Sequence, residues 1–67
     1  MNQELNKNVD EIKILIKKKD FQTALTKINE TVKFHPNYLY LYGLRAEILL
    51  LIKRYDEACI DLNKCLN

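Results

Sequence analysis

An internal repeat constrains this chain more than any other feature of its sequence. When the sequence is shifted by 34 residues, six positions carry identical residues and several others carry large apolar residues in both copies. Among these pairs are Leu5 with Leu39, Ile14 with Ile48, Leu15 with Leu49, Lys19 with Lys53, Ala24 with Ala58, Asn29 with Asn63, Phe21 with Tyr55 and Ile28 with Leu62. A repeat of this period predicts the same supersecondary unit twice, and neither unit can bury its apolar face alone.

The first copy carries two segments with the apolar spacing of an amphipathic helix. Apolar residues three or four positions apart fall on one stripe of a helix. This spacing predicts one helix over about 3–18 and a second over Phe21–Phe34, with stripes formed by Leu5, Val9, Ile12, Leu15 and Ile16, and by Phe21, Ala24, Leu25, Ile28 and Val32. Asp20 is predicted to cap the second helix, and this helix ends before Pro36 because proline disfavours helical backbone in the preceding residue.

The second copy is predicted to hold a helix over Tyr38–Ile52, capped by Asn37, and another over Tyr55–Leu66. The third helix is apolar nearly all round, which indicates that it is covered on more than one face. Gly43 within it has two interpretations: it lets a partner backbone approach closely, or it is a tolerated imperfection. On the fourth helix, Ala58, Leu62 and Cys65 form the stripe expected to pack within the hairpin.

The composition favours a folded, all-helical chain. One glycine and one proline among 67 residues supply little turn chemistry for a sheet, and 48% apolar with 30% charged residues is typical of a folded domain.

A net charge of +2 is too small a bias to indicate nucleic acid or an anionic membrane surface as a partner. The longest apolar run, Ile48 to Ile52, is five residues, against the roughly 20 that span a bilayer. Because no basic segment followed by an apolar core opens the sequence, we expect a cytoplasmic protein.

No grouping of side chains predicts catalysis, a cofactor or a metal site. The single histidine, His35, has no nucleophile or second histidine near it in the sequence, and no glycine-rich loop is present to hold phosphate. Cys59 and Cys65 are six residues apart on one helix, where their side chains cannot meet in a disulfide. Cys65 is expected to pack in the core and Cys59 to be exposed. The chain is therefore not expected to be an enzyme.

The spacing of these residues resembles the tetratricopeptide repeat, a helix–turn–helix unit of 34 residues. The matching residues are Tyr42, Ala46, Leu49, Tyr55, Ala58, Leu62 and Cys65 in the second copy, and Phe21, Ala24, Ile28, Thr31 and Pro36 in the first. Asn8, Ile12 and Arg45 depart from the pattern, which has leucine in place of Arg45. The resemblance implies an all-α fold of two stacked antiparallel hairpins, a fragment of a right-handed αα superhelix. It implies one domain over 1–67, with repeats at about 5–36 and 39–67 and no C-terminal capping helix.

Members of this family are generally protein-interaction scaffolds, and the first helices of successive hairpins line a concave groove. Carried over by position, the groove-lining residues would be Val9, Lys13, Ile16 and Lys17 from the first helix and Tyr40, Leu44, Glu47 and Leu51 from the third. This set is more apolar than charged, which favours an apolar peptide or helix as the partner. The subclass that binds chaperone C-terminal carboxylates uses lysine and asparagine side chains at positions held here by Val9, Lys13 and Leu44, so a chaperone tail is not an expected partner.

A second hypothesis is self-association. Each stacked hairpin leaves an apolar face for its neighbour, and Ile52, Cys59 and Ile60 are predicted on or near the face that a following hairpin would cover. That face would be buried either by further repeats or by a second copy in a homo-oligomer. Nucleic-acid binding through the lysines is a third class of function, but acidic residues on every predicted helix argue against it.

Overall fold

Residues 3–66 are described in a computed structural model, and they form four α-helices. These are α1 (Gln3–Lys17), α2 (Phe21–Phe34), α3 (Tyr40–Leu51) and α4 (Tyr55–Leu66), and no strand occurs among residues 3–66. Helix α1 packs on α2, and α3 packs on α4, while α2 also packs on α3 and so joins the two pairs. The predicted all-helical arrangement of hairpins is confirmed.

The two hairpins turn in the same way. Lys19 and Lys53 occupy equivalent positions, and both adopt left-handed backbone with φ of 65° and 66°. In both turns the next residue donates a backbone hydrogen bond five residues back, from Asp20 N to Leu15 O (2.9 Å) and from Arg54 N to Leu49 O (2.8 Å). Bonds of this kind close a helix C-terminus around one left-handed residue. The repeat in the sequence is therefore also a repeat in the backbone.

Large aliphatic side chains and three alanines fill the interior. The largest fully buried side chains are Ile12, Ile28, Leu41 and Ile48. Ala24, Ala46 and Ala58 have no exposed surface, and a methyl group at these positions lets neighbouring helices approach closely. The predicted cap of α2 is confirmed, since the Asp20 carboxylate accepts a hydrogen bond from the Thr23 amide at 3.4 Å.

The start of α3 differs from the prediction. The helix begins at Tyr40, and its N-cap residue is Leu39, which makes no side-chain capping hydrogen bond, so the prediction that Asn37 is the cap is wrong. The reason lies in the preceding turn. The Tyr38 amide donates to the His35 carbonyl, and the amides of Leu41 and Tyr42 then donate three residues back. In addition, the Tyr42 hydroxyl donates to the Pro36 carbonyl at 2.7 Å, which ties the loop to α3.

Gly43 serves the packing of α3 against α4. A Cβ atom at this position would lie 3.0 Å from Cys65 Sγ, closer than van der Waals contact allows without movement. Cys65 is half-buried, and its thiol donates to the Leu39 carbonyl at 3.2 Å. The glycine therefore makes room for a side chain of its own hairpin, a role that the sequence did not predict, and the approach of a partner backbone stays a prediction.

Candidate partner-binding site

A hollow of about 670 Å³ lies between α1 and α3. The residues that line it are Asp10, Lys13, Ile14, Ile16 and Lys17 from α1 and Tyr40, Leu44 and Glu47 from α3. Four of these side chains are apolar or aromatic, and charges of both signs surround them. Ile14 is 52% exposed although it lies beside the other apolar side chains of the hollow.

Six of the eight residues predicted for the groove line this hollow: Lys13, Ile16, Lys17, Tyr40, Leu44 and Glu47. Val9 does not line the hollow, and its side chain packs in the hydrophobic core. Leu51 is exposed at the last residue of α3 and does not line the hollow. Asp10 and Ile14 also line the hollow but were not predicted. They lie three residues before the predicted positions Lys13 and Lys17. The role of the lining residues in binding a partner stays a prediction.

Lys13 and Tyr40 line the hollow together, and Tyr38 lies beside Tyr40. Lys13 Nζ lies 5.4 Å from the centre of the Tyr40 ring, within the range of a cation–π interaction. The Tyr38 and Tyr40 rings are 5.9 Å apart and tilted by 44°. Tyr40 raises the pKa of the Lys13 ammonium above its ordinary value, first through hydrogen bonding with the side chain and then through charge. The Lys13 ammonium therefore lies beside aromatic surface in the hollow.

A buried ion pair, which was not predicted from the sequence, connects α2, α3 and α4. Arg45 donates from Nε and Nη2 to the two carboxylate oxygens of Asp61, both at 2.8 Å, and from Nη1 to Asn29 Oδ1 at 3.0 Å. The Asp61 side chain is 4% exposed and that of Arg45 is 20% exposed. The hydrogen bonding that Arg45 donates to the Asp61 carboxylate is the largest cause of the raised Arg45 pKa, and burial opposes it. Arg45 occupies the position where the repeat pattern has leucine, and the Asp61 carboxylate of the same hairpin balances its charge.

The face predicted for self-association is arranged differently. Ile52 is half-buried against the core, while Cys59 and Ile60 are exposed. Ile60 lies on the side of α4 that adjoins α2, where it lines a hollow with Leu25 and Asn29. Leu62 was expected within the hairpin, but it is 38% exposed, and Asp61 is buried beside Ala58 instead. The exposed apolar residues of α4 that share one stripe are Tyr55, Cys59, Leu62 and Leu66, here called the distal stripe.

Residues 3–66 do not provide the groupings that other kinds of site require. In this range no three His, Cys, Asp or Glu side chains are placed to hold a metal ion together. Both cysteines are free thiols. Within the same residues, none of the helices has the length and apolarity needed to cross a membrane.

The chain matches no protein-family model, no curated protein sequence and no solved structure. The resemblance to the tetratricopeptide repeat consequently depends on the matching residues of the two copies and stays a prediction.

Proposed function

We propose that this chain is a protein-interaction module and that the hollow between α1 and α3 binds an apolar peptide or helix of a partner protein. The observation that carries the proposal is the exposed aliphatic side chain of Ile14 in a concave surface with Ile16, Tyr40 and Leu44. Exposed apolar surface that is concave and rimmed by polar residues is typical of interaction sites. The same proposal makes the hairpins tetratricopeptide-like repeats in a cytoplasmic, non-catalytic protein.

The rim of the hollow supports a partner with both apolar and charged groups. Lys13 and Lys17 stand on α1, while Asp10 and Glu47 supply negative charge. An interface with an apolar centre and a polar rim of this kind obtains its affinity from the centre and its orientation from the charges. A helix with apolar residues at three-to-four spacing, or an extended segment with alternating apolar residues, presents the matching surface.

Selection from a random peptide library displayed on phage tests this proposal and requires no identified partner. Enriched peptides are synthesised and titrated by calorimetry against wild-type protein, Ile14→Glu and Ile60→Glu. Ile14 and Ile60 are matched in residue type and exposure, at 52% and 59%, but Ile60 lies outside the hollow. We expect enriched peptides to be apolar, to lose at least about tenfold in affinity for Ile14→Glu and to bind Ile60→Glu as they bind wild type.

Either of two results contradicts the proposal. In the first, no peptide is enriched above a control selection on bare support. In the second, the enriched peptides bind Ile14→Glu as tightly as wild type, which places their site outside the hollow. Because both substituted side chains are more than half exposed, circular dichroism is expected to show unchanged helix content in each variant.

A further inference from the structure

Each hairpin has an ion pair between its two helices, and the two pairs occupy equivalent positions of the repeat. In the first hairpin, Lys27 Nζ of α2 lies 3.5 Å from Glu11 Oε1 of α1. In the second, Arg45 of α3 donates to both carboxylate oxygens of Asp61 in α4 at 2.8 Å. Positions 45 and 61 are the counterparts of positions 11 and 27 under the 34-residue shift. The same contact between the helices of a hairpin is therefore made twice.

The two pairs have opposite polarity. The first helix supplies the acid and the second supplies the base in the α1–α2 hairpin, whereas this order is reversed in the α3–α4 hairpin. A hybrid hairpin, here meaning α1 packed with α4 or α3 packed with α2 as hairpin partners, would set like charges opposite each other. Glu11 would face Asp61, and Arg45 would face Lys27. Because like charges across an interface disfavour the complex, polarity distinguishes correct hairpins from hybrid ones.

Apolar packing distinguishes the two kinds of hairpin less well. The second helices carry Ala24 and Ala58 at equivalent positions, and neither alanine has exposed surface. The first helices carry Leu15 and Leu49 at equivalent positions, and both pack in the core. Repetition of one packing pattern makes exchange between repeats or between chains a characteristic failure of repeat proteins. A signal that differs between the two hairpins is therefore useful to this chain.

The burial of the second pair makes the discrimination strong. The Asp61 side chain is 4% exposed and that of Arg45 is 20% exposed, against 31% for Lys27 and 44% for Glu11. A hybrid hairpin would leave the buried carboxylate or the buried guanidinium without its counter-ion, which costs far more than the loss of an exposed pair. In the native fold, α2 contacts Arg45 through the neutral amide of Asn29 at 3.0 Å.

We propose that the opposite polarity of these two ion pairs selects the hairpin partners, so that α1 pairs with α2 and α3 pairs with α4 as the chain folds. The pairs thus determine which hairpins form as well as how stable each hairpin is. This selection is independent of what the hollow between α1 and α3 binds.

Exchanging the residues of the more exposed pair tests the proposal without changing composition or net charge. Glu11→Lys/Lys27→Glu, the swapped variant, keeps opposite charges within the first hairpin but gives both hairpins the same polarity. Glu11→Asp/Lys27→Arg is the matched control, because it changes the same two residues and preserves polarity. Glu11→Gln/Lys27→Gln removes both charges. Since these side chains are 44% and 31% exposed, circular dichroism is expected to show unchanged helix content in all three variants.

Each protein is refolded from urea at about 300 micromolar, and size-exclusion chromatography measures the fraction of dimer in which helices are exchanged between chains. We expect this fraction to be at least about tenfold larger for the swapped variant than for wild type and the matched control. The neutral variant is expected to lie between them. If weakening of the native pair alone caused exchange, the neutral variant would exceed the swapped variant instead.

A carbodiimide crosslink identifies the hybrid hairpin in these dimers. In the swapped variant, the lysine amine at position 11 would lie opposite the Asp61 carboxylate, and the reagent joins the two groups as an amide with loss of water. Mass spectrometry is expected to find this link between positions 11 and 61 in the dimer fraction and not in the monomer fraction. Equal dimer fractions in wild type and the swapped variant overturn the proposal. So does a neutral variant that exceeds the swapped one, or a dimer without the link.

Discussion

Separating Asp61 from Arg45 is expected to remove a large part of the stability of the fold. In Asp61→Leu, the Arg45 guanidinium keeps Asn29 as its remaining partner and stays 20% exposed. Breaking a buried ion pair costs about 3–5 kcal/mol, and because Arg45 keeps one hydrogen bond and some contact with water, we expect about 2–3 kcal/mol. A chain of this size is stable by roughly 3–10 kcal/mol in all. The variant should therefore have a much lower urea midpoint.

A double-mutant cycle measures the interaction, and the chain supplies its own control. Arg54 and Glu57 also form a two-bond pair, at 2.6 and 2.7 Å, but their side chains are 50% and 48% exposed. Leucine substitutions at both members of each pair, followed by circular dichroism in urea, give the two coupling energies. We expect about 2 kcal/mol or more for Arg45 with Asp61 and less than about 1 kcal/mol for the exposed pair. Equal coupling energies would refute the reasoning that burial makes the difference.

Two further predictions concern local backbone and packing. Replacing Lys53, whose φ is 66°, with glycine should raise the free energy of unfolding by about 0.5–1 kcal/mol. Lys7→Gly within α1 should lower the free energy of unfolding by about the same amount. Urea unfolding in which both variants are less stable than wild type would contradict this. Gly43→Ala should stabilise the Cys65→Ala variant by about 1 kcal/mol and wild type by clearly less, because Cys65 Sγ occupies the space; equal effects in both backgrounds would exclude the clash.

Periodicity and the repeat were sufficient to predict the helices. Three of the four predicted helices agree with the structure to within a residue at each end, because the apolar stripes and Asp20 mark them directly. The start of α3 was misplaced, since it depends on turn hydrogen bonds around His35 and Tyr38 that no residue type at Asn37 reveals. Local sequence signals were therefore sufficient to predict the helices, whereas the conformation of the connection between the hairpins is known only from the structure.

The candidate site was less predictable because it depends on how the helices are rotated against each other. Val9 and Ile14 both belong to α1, and spacing alone could not show that Val9 turns into the core while Ile14 lines the hollow. Asp61 was overlooked because a carboxylate on an amphipathic helix is ordinarily solvated. The signal available in the sequence was Arg45, one of two charged residues in a helix that is otherwise apolar or aromatic.

Methyl-resolved NMR of isotopically labelled protein, titrated with a library-selected peptide, tests most directly that the hollow is the partner site. We predict that the methyl signals of Ile14, Ile16 and Leu44 shift with a common saturation curve, while those of Ile60 and Leu62 stay in place. Shifts confined to Ile60 and Leu62, with Ile14 unaffected, would contradict this assignment of the site.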